Sequence, residues 1–205
     1  MPDLTIFSDV PGIHAGIAPD ARQVEDSVLL PVQTHTCRVA VVPDTTDLTD
    51  TDGIITLQRG LRIGVRIADC VPVLLYAPDI RAVAAVHAGW KGTLGGITTE
   101  AIEKMKSLGA APDKIQVAFG PSICGDCYEV SPELADTFRA AGFTDCIIGT
   151  RNVDLEAVNS TRLIQAGLHP SNIRPRPCCT FETPALPSWR RQPTPQRLVT
   201  WIELL

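Results

Sequence analysis

The sequence lacks several features that whole classes of protein require. No run of about 18 apolar residues occurs in the 205-residue chain, so no membrane span is predicted. The N-terminal MPDLTIFSDV has neither a basic start nor a long apolar core, so no secretory signal is expected. Lysine and arginine total 18 against 23 acidic residues and form no run, so no nucleic-acid partner is predicted. These absences favour a cytoplasmic protein.

Cysteine is present in number, but its distribution disfavours a disulfide framework. The seven cysteines are an odd number, scattered along the chain: Cys37, Cys70, Cys124, Cys127, Cys146, Cys178 and Cys179. Because no export signal is predicted, free thiols or metal ligands are expected in place of disulfides.

The stretch from 65 to 92 predicts a hairpin that brings a thiol and an imidazole together. VPVLLYA (71–77) and AVAAVHA (82–88) are apolar runs typical of strands buried on both faces, and PDIR between them indicates a turn. Antiparallel pairing about this turn places Pro72 opposite His87. Cys70 and His87 then lie diagonally at the same end, roughly 7–8 Å apart at the backbone.

His35 is a third candidate ligand. It belongs to VQTHTCRVAVV (32–42), which is rich in β-branched residues and is predicted to be a strand. Two histidines and one cysteine at strand ends fit a catalytic zinc site with a fourth position open to water or substrate. The alternative is a packed thiol beside two hydrogen-bonded imidazoles, and the spacing alone leaves both interpretations open.

The rest of the chain predicts a mixed α/β or α+β fold without strict βαβ alternation. The absence of internal repeats and long linkers predicts a single domain over residues 1–205. The first 31 residues are expected to form a short strand or two with loops. Further strands are expected at 53–57, 61–67, 117–123 and 197–203, and helices at 93–108, 131–141 and 152–167.

Three other motifs have weaker chemical meaning. Cys124-Gly-Asp-Cys127 has the spacing of a metal knuckle, but there is no second such pair, so a complete structural zinc site is not expected and the role of the pair stays open. The glycines around Gly92 match no nucleotide fingerprint, although they place small residues at a helix start that can bind an anion. Arg190-Arg191 is either a surface pair or a bidentate anion clamp.

Several of these motifs together resemble one family. QTH, GVRIADCVPVLL, VAAVHAGWKGT, AFGPSI followed by CYEV, CTF and SWRR occur in the order and at roughly the spacing of YfiH-like proteins. Members of that family are called laccase-domain proteins, polyphenol oxidases or purine nucleoside phosphorylases. The resemblance covers about residues 32 to 203. It implies a four-layer αββα sandwich with mixed sheets, and metal ligands at His35, Cys70 and His87.

The resemblance also implies a zinc-dependent enzyme that acts on small-molecule nucleosides and phosphate. Its reactions would be phosphorolysis of adenosine, inosine, guanosine or methylthioadenosine, and deamination of adenosine. Phosphate is expected at Arg190, Arg191 or the helix at Gly92. Asp69 either orients a ligand histidine or moves a proton, or is only a strand-end turn residue.

The family name suggests a multicopper laccase, but the composition disagrees. Four histidines and two methionines are too few for a blue copper site plus a trinuclear cluster, so copper is expected at most as an adventitious occupant. Two other functional classes stay open. One is a metal-free cysteine hydrolase or amidase in peptidoglycan-precursor editing, with Cys70 as nucleophile and His87 as base. The other is a non-catalytic metal-binding protein.

One departure from the family concerns the front end of the chain. Family members usually carry a longer segment before the QxH strand, with an arginine, paired glycines and an Asn-Leu-Gly stretch. Here only FSDVPGIHAGIAPDARQVEDSVLL precedes it. Any substrate contact that the family makes from that segment is therefore not transferred to this chain. The oligomeric state is not predicted from the sequence.

Overall fold

A computed structural model describes residues 6–24 and 26–205 of the protein. Residues 1–31 are expected to form a short strand or two with loops; residues 1–5 and 25 of this segment lie outside the described residues, and β1 runs over Ile13–Ala18. The other strands are β2 (Val39–Val42), β3 (Gly53–Thr56), β4 (Arg62–Ile67), β5 (Val71–Ala77), β6 (Ala82–Ala88), β7 (Gln116–Phe119), β8 (Ile147–Ile148), β9 (Asn152–Val153), β10 (Ile173–Arg174) and β11 (Leu198–Leu204). The α-helices are α1 (Trp90–Gly95), α2 (Ile97–Ser107), α3 (Pro132–Ala140) and α4 (Leu155–Gln165).

Two larger sheets organise these elements. A six-stranded mixed sheet has the order β10-β7-β5-β6-β3-β2, in which the pairs β2–β3 and β7–β10 are parallel and the others antiparallel. A three-stranded antiparallel sheet has the order β1-β11-β4. β8 and β9 form a separate short hairpin.

The hydrophobic pattern explains how the layers pack. The central strands β5 and β6 are buried along their whole length, as their continuous apolar runs predict. One face of the six-stranded sheet packs against the helices, where Phe138, Met105 and Leu163 are fully buried. Its other face packs against the three-stranded sheet through residues such as Leu74 and Ile202. The expected layered α/β fold is therefore confirmed.

The fourth layer is thin. On the outer face of the three-stranded sheet, Trp201 of β11 packs in a small cluster with Ala21 and Val28. Ala21 belongs to a single 3-10 turn, Ala21–Gln23, which follows β1. A short loop with one 3-10 turn thus occupies the position of the outer helical layer.

Three predicted elements differ from the structure. The helix expected at 93–108 is divided into α1 and α2, because Gly96 between them has φ +82°, a left-handed conformation that ends the first helix. The strand expected at 117–123 ends at Phe119, where Gly120 and Pro121 follow. The strand expected at 32–42 begins only at Val39, so the prediction that His35 lies in a strand is wrong. Within the described part of the chain, no helix is long and apolar enough to cross a membrane.

Candidate metal centre

The three predicted ligands come together at one end of the central sheet. Ligand atoms of His35, Cys70 and His87 all lie within 4.8 Å of one another. The two imidazole rings are 5.0 Å apart between centroids and nearly perpendicular, at 74°. His87 is buried, Cys70 is half-buried and His35 is exposed, so the set is open to solvent on the His35 side.

The β5–β6 hairpin positions two of these ligands as the sequence predicts. Pro72 pairs with His87 in the observed register, so the prediction made from the turn is confirmed. Cys70 directly precedes β5, and His87 is the penultimate residue of β6. The thiol and the imidazole are therefore held by the most buried pair of strands in the protein.

His35 reaches the site from a loop. Its backbone is left-handed, with φ +65°, which a strand does not allow. Gln33 fastens this loop to the edge of β4, because its side-chain amide both donates to the Arg66 carbonyl (2.9 Å) and accepts from the Arg66 amide (2.8 Å). The QTH motif thus contributes one positioning amide and one candidate ligand.

Asp52 joins the loop to His87. Its side chain is fully buried. It accepts hydrogen bonds from the backbone amides of Thr34 (3.2 Å), His35 (3.1 Å) and Thr36 (2.7 Å). The same carboxylate lies 2.7 Å from Nδ1 of His87. Nδ1 of His87 is assigned as the donor to this carboxylate, which leaves Nε2 available to a metal ion.

The charges of this group are strongly coupled. Burial raises the pKa of Cys70, but the positive charge of His87 and hydrogen bonds to both imidazoles outweigh it and lower the pKa to about 6. Burial opposes the charged form of His87, yet Cys70 and Asp52 raise its pKa to about 9. Burial likewise disfavours ionised Asp52, but hydrogen bonds from His87 and Thr36 lower its pKa to about 2. These pKa shifts favour a Cys70 thiolate beside a His87 imidazolium at neutral pH.

The residues present fit a metal ion. Imidazole nitrogen and thiolate sulfur are the ligand types that zinc prefers, and three protein ligands leave one position open, as in catalytic sites. Space for this set depends on Gly89, where a Cβ atom would lie 2.9 Å from Cδ2 of His35 and 3.1 Å from Sγ of Cys70. The carboxylate of Asp52 behind His87 is the kind of partner that orients ligating histidines.

A pocket of about 590 Å³ opens above the three ligands. Val32 and Trp189 in its wall are both more than half exposed and offer apolar surface. Tyr128 is also in the wall, where burial and the nearby Cys70 charge raise the pKa of its phenol to about 12, so the hydroxyl stays protonated. Three arginines line the pocket as well: Arg66, Arg190 and Arg197.

Asp69 lies in the pocket wall, but its carboxylate is occupied by neighbours. Its Oδ1 accepts from the Thr180 hydroxyl at 2.6 Å and its Oδ2 from the Arg190 amide at 2.7 Å. Asp69 has φ +85° at the bend that leads into β5. These contacts favour the interpretation of Asp69 as a strand-end turn residue, and they also fix the backbone amide of Arg190 at the pocket.

Two of the three predicted phosphate positions lie elsewhere. The Arg191 guanidinium donates to backbone carbonyls of its own segment, including those of Thr180 (2.7 Å) and Phe181 (2.9 Å), and does not line the pocket. Gly92 is buried within α1 and does not line the pocket either. Arg190 alone of the predicted set faces it.

The sequence alone did not identify Asp52 or Gln33 as positioning residues, or Tyr128 and Trp189 as aromatic residues of the pocket wall. Asp52 directly precedes β3, whose first residue Gly53 pairs with Val86, one residue before His87. Because β3 and β6 are distant in sequence, no local sequence pattern predicts that they pair, and so none predicts that Asp52 lies beside His87. Tyr128 and Trp189 lie in quoted motifs, CYEV and SWRR, but nothing in those motifs indicated a pocket wall.

These features define an α/β protein with a Cys-His-His set suited to a metal ion at the floor of a pocket. Comparison with known families agrees: the sequence model described as "Multi-copper polyphenol oxidoreductase laccase" matches residues 15–204. The chain belongs to this family. The expected resemblance to YfiH-like proteins is thereby confirmed, and the structure of YfiH from Bacillus licheniformis superposes with a TM-score of 0.81 at 29% identity, covering 87% of this chain and 74% of that one.

Similar curated proteins carry nucleoside names. An adenosine deaminase named RL5, from an unknown prokaryotic organism, is 39% identical over 165 residues, which are 72% of this chain and 63% of the relative. A purine nucleoside phosphorylase of Deinococcus radiodurans is 41% identical over 120 residues, 57% of this chain and 47% of the relative. The aligned part of the chain therefore spans less than two thirds of each of these relatives.

Proposed function

We propose that this protein is a zinc-dependent purine nucleoside enzyme that catalyses phosphorolysis of adenosine, inosine, guanosine or methylthioadenosine and deamination of adenosine. The observation that supports this most directly is the position of the Cys-His-His set at the floor of a pocket with both aromatic and cationic walls. The names of the similar proteins point to the same substrates.

His35, Cys70 and His87 would hold the metal. Zinc at such a site supplies a nucleophilic water at neutral pH, which is the reactant that deamination of adenine requires. Asp52 keeps His87 in the tautomer that can ligate, and it fixes the loop that carries His35. The low pKa of Cys70 means that its thiolate is available near pH 7.

The pocket walls provide complementary surfaces for a nucleoside. Trp189 and Val32 expose apolar surface of the kind that packs against a purine ring. The Tyr128 hydroxyl, protonated at neutral pH, can donate a hydrogen bond or a proton to a group that becomes negative.

The arginines supply the second substrate site. Phosphorolysis needs an anion held next to the ribose, and guanidinium groups bind phosphate by charge-assisted hydrogen bonds. Arg190 is the best-positioned candidate, because Asp69 fixes its backbone amide and its guanidinium carbon lies 4.9 Å from the centre of the Tyr128 ring. The proposed clamp is therefore Arg190 with Arg66 and Arg197, without Arg191 and Gly92.

A second candidate function is a metal-free cysteine hydrolase. In this alternative, Cys70 is the nucleophile, since its pKa is lowered, and His87 beside it is the base. Asp52, which is hydrogen-bonded to His87, orients the base. Removal of metal distinguishes the two candidates. A chelated and dialysed protein loses all turnover under the zinc proposal, and keeps or gains turnover under the hydrolase alternative.

Chromatography of adenosine incubations tests the proposed reactions. Zinc-loaded protein should form inosine without phosphate and release adenine only when phosphate is added. Arg190→Ala should lower kcat/KM for phosphorolysis roughly 10- to 100-fold, the value of a charged hydrogen bond, with a smaller effect on deamination. Lys114→Ala, an exposed residue outside the pocket wall, is the matched control. Equal losses of both activities in Arg190→Ala would refute the clamp.

A further inference from the structure

We propose that Cys124, Cys127, Cys179 and Glu182 form a second metal site, which binds a structural zinc ion. Their ligand atoms, three sulfurs and a carboxylate oxygen, all lie within 4.8 Å of one another. This group is separate from the Cys70 set and shares no residue with it. All three cysteines are free thiols.

The fold supplies the ligand that the sequence alone did not show. Cys124 directly precedes a 3-10 turn, Gly125–Cys127, and Cys127 is the last residue of that turn, in the segment after β7. Cys179 belongs to a segment distant in sequence. An isolated parallel β-bridge between Ser122 and Cys179 holds that segment beside the CxxC pair. The sequence led to the expectation that a single CxxC pair makes no complete structural zinc site; in the proposed site, Cys179 and Glu182 supply the third and fourth ligand atoms.

The surroundings of Cys179 and of its neighbour Cys178 are consistent with a ligand role for the Cys179 sulfur. The backbone amide of Cys124 donates to Sγ of Cys179 at 3.2 Å, a hydrogen bond that stabilises negative charge on the sulfur. Cys178, the adjacent residue, packs instead against the core between the two sheets and takes no part in the group. The extended chain thus directs one neighbouring thiol into the cluster and the other away from it.

The donor set determines the choice of metal and role. Three thiolates select a soft or borderline cation, and zinc is the one commonly held in a Cys-rich tetrahedral site. Four protein ligands leave no open coordination position, which is the mark of a structural site. With Zn–S bonds near 2.3 Å, ligand sulfurs of a tetrahedron lie roughly 3.8 Å apart, so the observed cluster needs only small movements to close.

The position of the cluster indicates what the metal ion would do for the fold, because the cysteines adjoin segments that form the pocket wall. Tyr128 directly follows Cys127, and Thr180 directly follows Cys179. Thr180 donates to Asp69, and Asp69 accepts the amide of Arg190. A metal at the cluster would therefore tie together the two segments that supply Tyr128 and Arg190 to the pocket wall. This role does not depend on which substrate the pocket takes.

The test uses the full chain with Cys70→Ala, which removes the main metal set and any activity that depends on it. Cobalt(II) added to this variant should give one equivalent of a tetrahedral complex with strong thiolate-to-cobalt charge-transfer absorption. Zinc should displace it stoichiometrically. Further substitution of Cys127→Ser should remove the complex, and Glu182→Ala should weaken it about tenfold. Cys178→Ser, next to a ligand but outside the cluster, should leave it unchanged.

Two results would overturn the proposal. One is the absence of a thiolate–cobalt complex in the Cys70→Ala protein, a measurement that leaves the cluster itself intact and so does not depend on the folding of cluster variants. The other is a disulfide between any two of the three cysteines in protein purified without reductant, which would indicate a redox pair in place of a metal site. Neither result depends on nucleoside turnover, so failure here is separable from failure of the proposed function.

Discussion

At the scale of single residues, Asp52 is the contact point between the loop of His35 and the strand of His87. One carboxylate accepts from three successive backbone amides and from an imidazole, in a fully buried position. Buried carboxylates are tolerated only when they are fully hydrogen-bonded, so this group has a specific structural task. It holds in place both of the histidines that are candidate ligands.

The substitution Asp52→Asn tests that task. An amide oxygen accepts the Nδ1–H of His87 less strongly than a carboxylate does, so it orients the ring less firmly and makes Nε2 a weaker ligand, and zinc affinity should fall about 10- to 100-fold. The free energy of unfolding should fall by about 1–3 kcal/mol, because an NH2 group replaces one of the two acceptor oxygens and leaves the buried donors on that side without an acceptor. Zinc competition titration and denaturant unfolding measure these two effects.

Asp50→Asn is the matched control, since Asp50 is exposed, its carboxylate accepts from the Thr34 hydroxyl, and its backbone contact with the Thr36 hydroxyl is kept in the variant. This control should leave both the zinc affinity and the free energy of unfolding essentially unchanged. If Asp52→Asn binds zinc as tightly as the unmodified protein, the orienting role of Asp52 is wrong.

The reactivity of Cys70 should depend on pH in a way that reports its coupling to His87. Because the folded pKa is lowered to about 6, the thiolate fraction of the metal-free protein rises through that pH and is complete by about pH 7.5. Alkylation by iodoacetamide, followed by peptide mass spectrometry, should show that midpoint at Cys70. Burial raises the pKa of Cys178, so its alkylation should rise only at higher pH. Zinc should protect Cys70, and a Cys70 midpoint near 8.5 would contradict the account.

At the scale of elements, the hairpin was predictable and the His35 loop was not. β5 and β6 were recognised because their continuous apolar runs and the intervening turn residues are local signals, and these signals also fix the register. The loop at 32–38 has strand-like composition, but its amides turn towards Asp52, a tertiary interaction that overrides propensity. The break at Gly96 was hidden by continuing helical periodicity on both sides.

The join between β6 and α1 gives a prediction at this scale. Gly89→Ala adds a methyl group that would meet His35 and Cys70, although the backbone at Gly89 has an ordinary φ of −74°. It should weaken zinc binding at least tenfold while costing little stability, because the main strain falls on the ligands.

Gly60→Ala is the matched control, in which we expect an effect on stability and none on zinc binding. Gly60 has φ +72° with no atom within 4 Å of the added Cβ, so the substitution should cost about 1 kcal/mol of stability and leave zinc affinity unchanged. Zinc titration and thermal unfolding of both variants measure the contrast. Unchanged zinc binding in Gly89→Ala would show that the ligands are not confined as described.

At the scale of the whole molecule, the site lies where the chain crosses from one sheet to the other. Arg66 is on β4 of the three-stranded sheet, and Cys70 stands at the start of β5 in the six-stranded sheet. Asp69 bends the chain between them and binds Arg190 from the C-terminal segment. The layered fold class was predictable from the strand and helix signals. The crossover was not, since it depends on which sheet each strand joins.

The central claim is that His35, Cys70 and His87 form a catalytic metal centre for purine nucleosides. The most direct test measures zinc content and adenosine turnover together in the unmodified protein, in Cys70→Ala and in Cys178→Ala as control. The account predicts that Cys70→Ala loses one zinc equivalent and both the formation of inosine and the phosphate-dependent release of adenine. It predicts that Cys178→Ala retains all three. Full zinc content or full turnover in Cys70→Ala, or no turnover by the zinc-loaded unmodified protein, would contradict it.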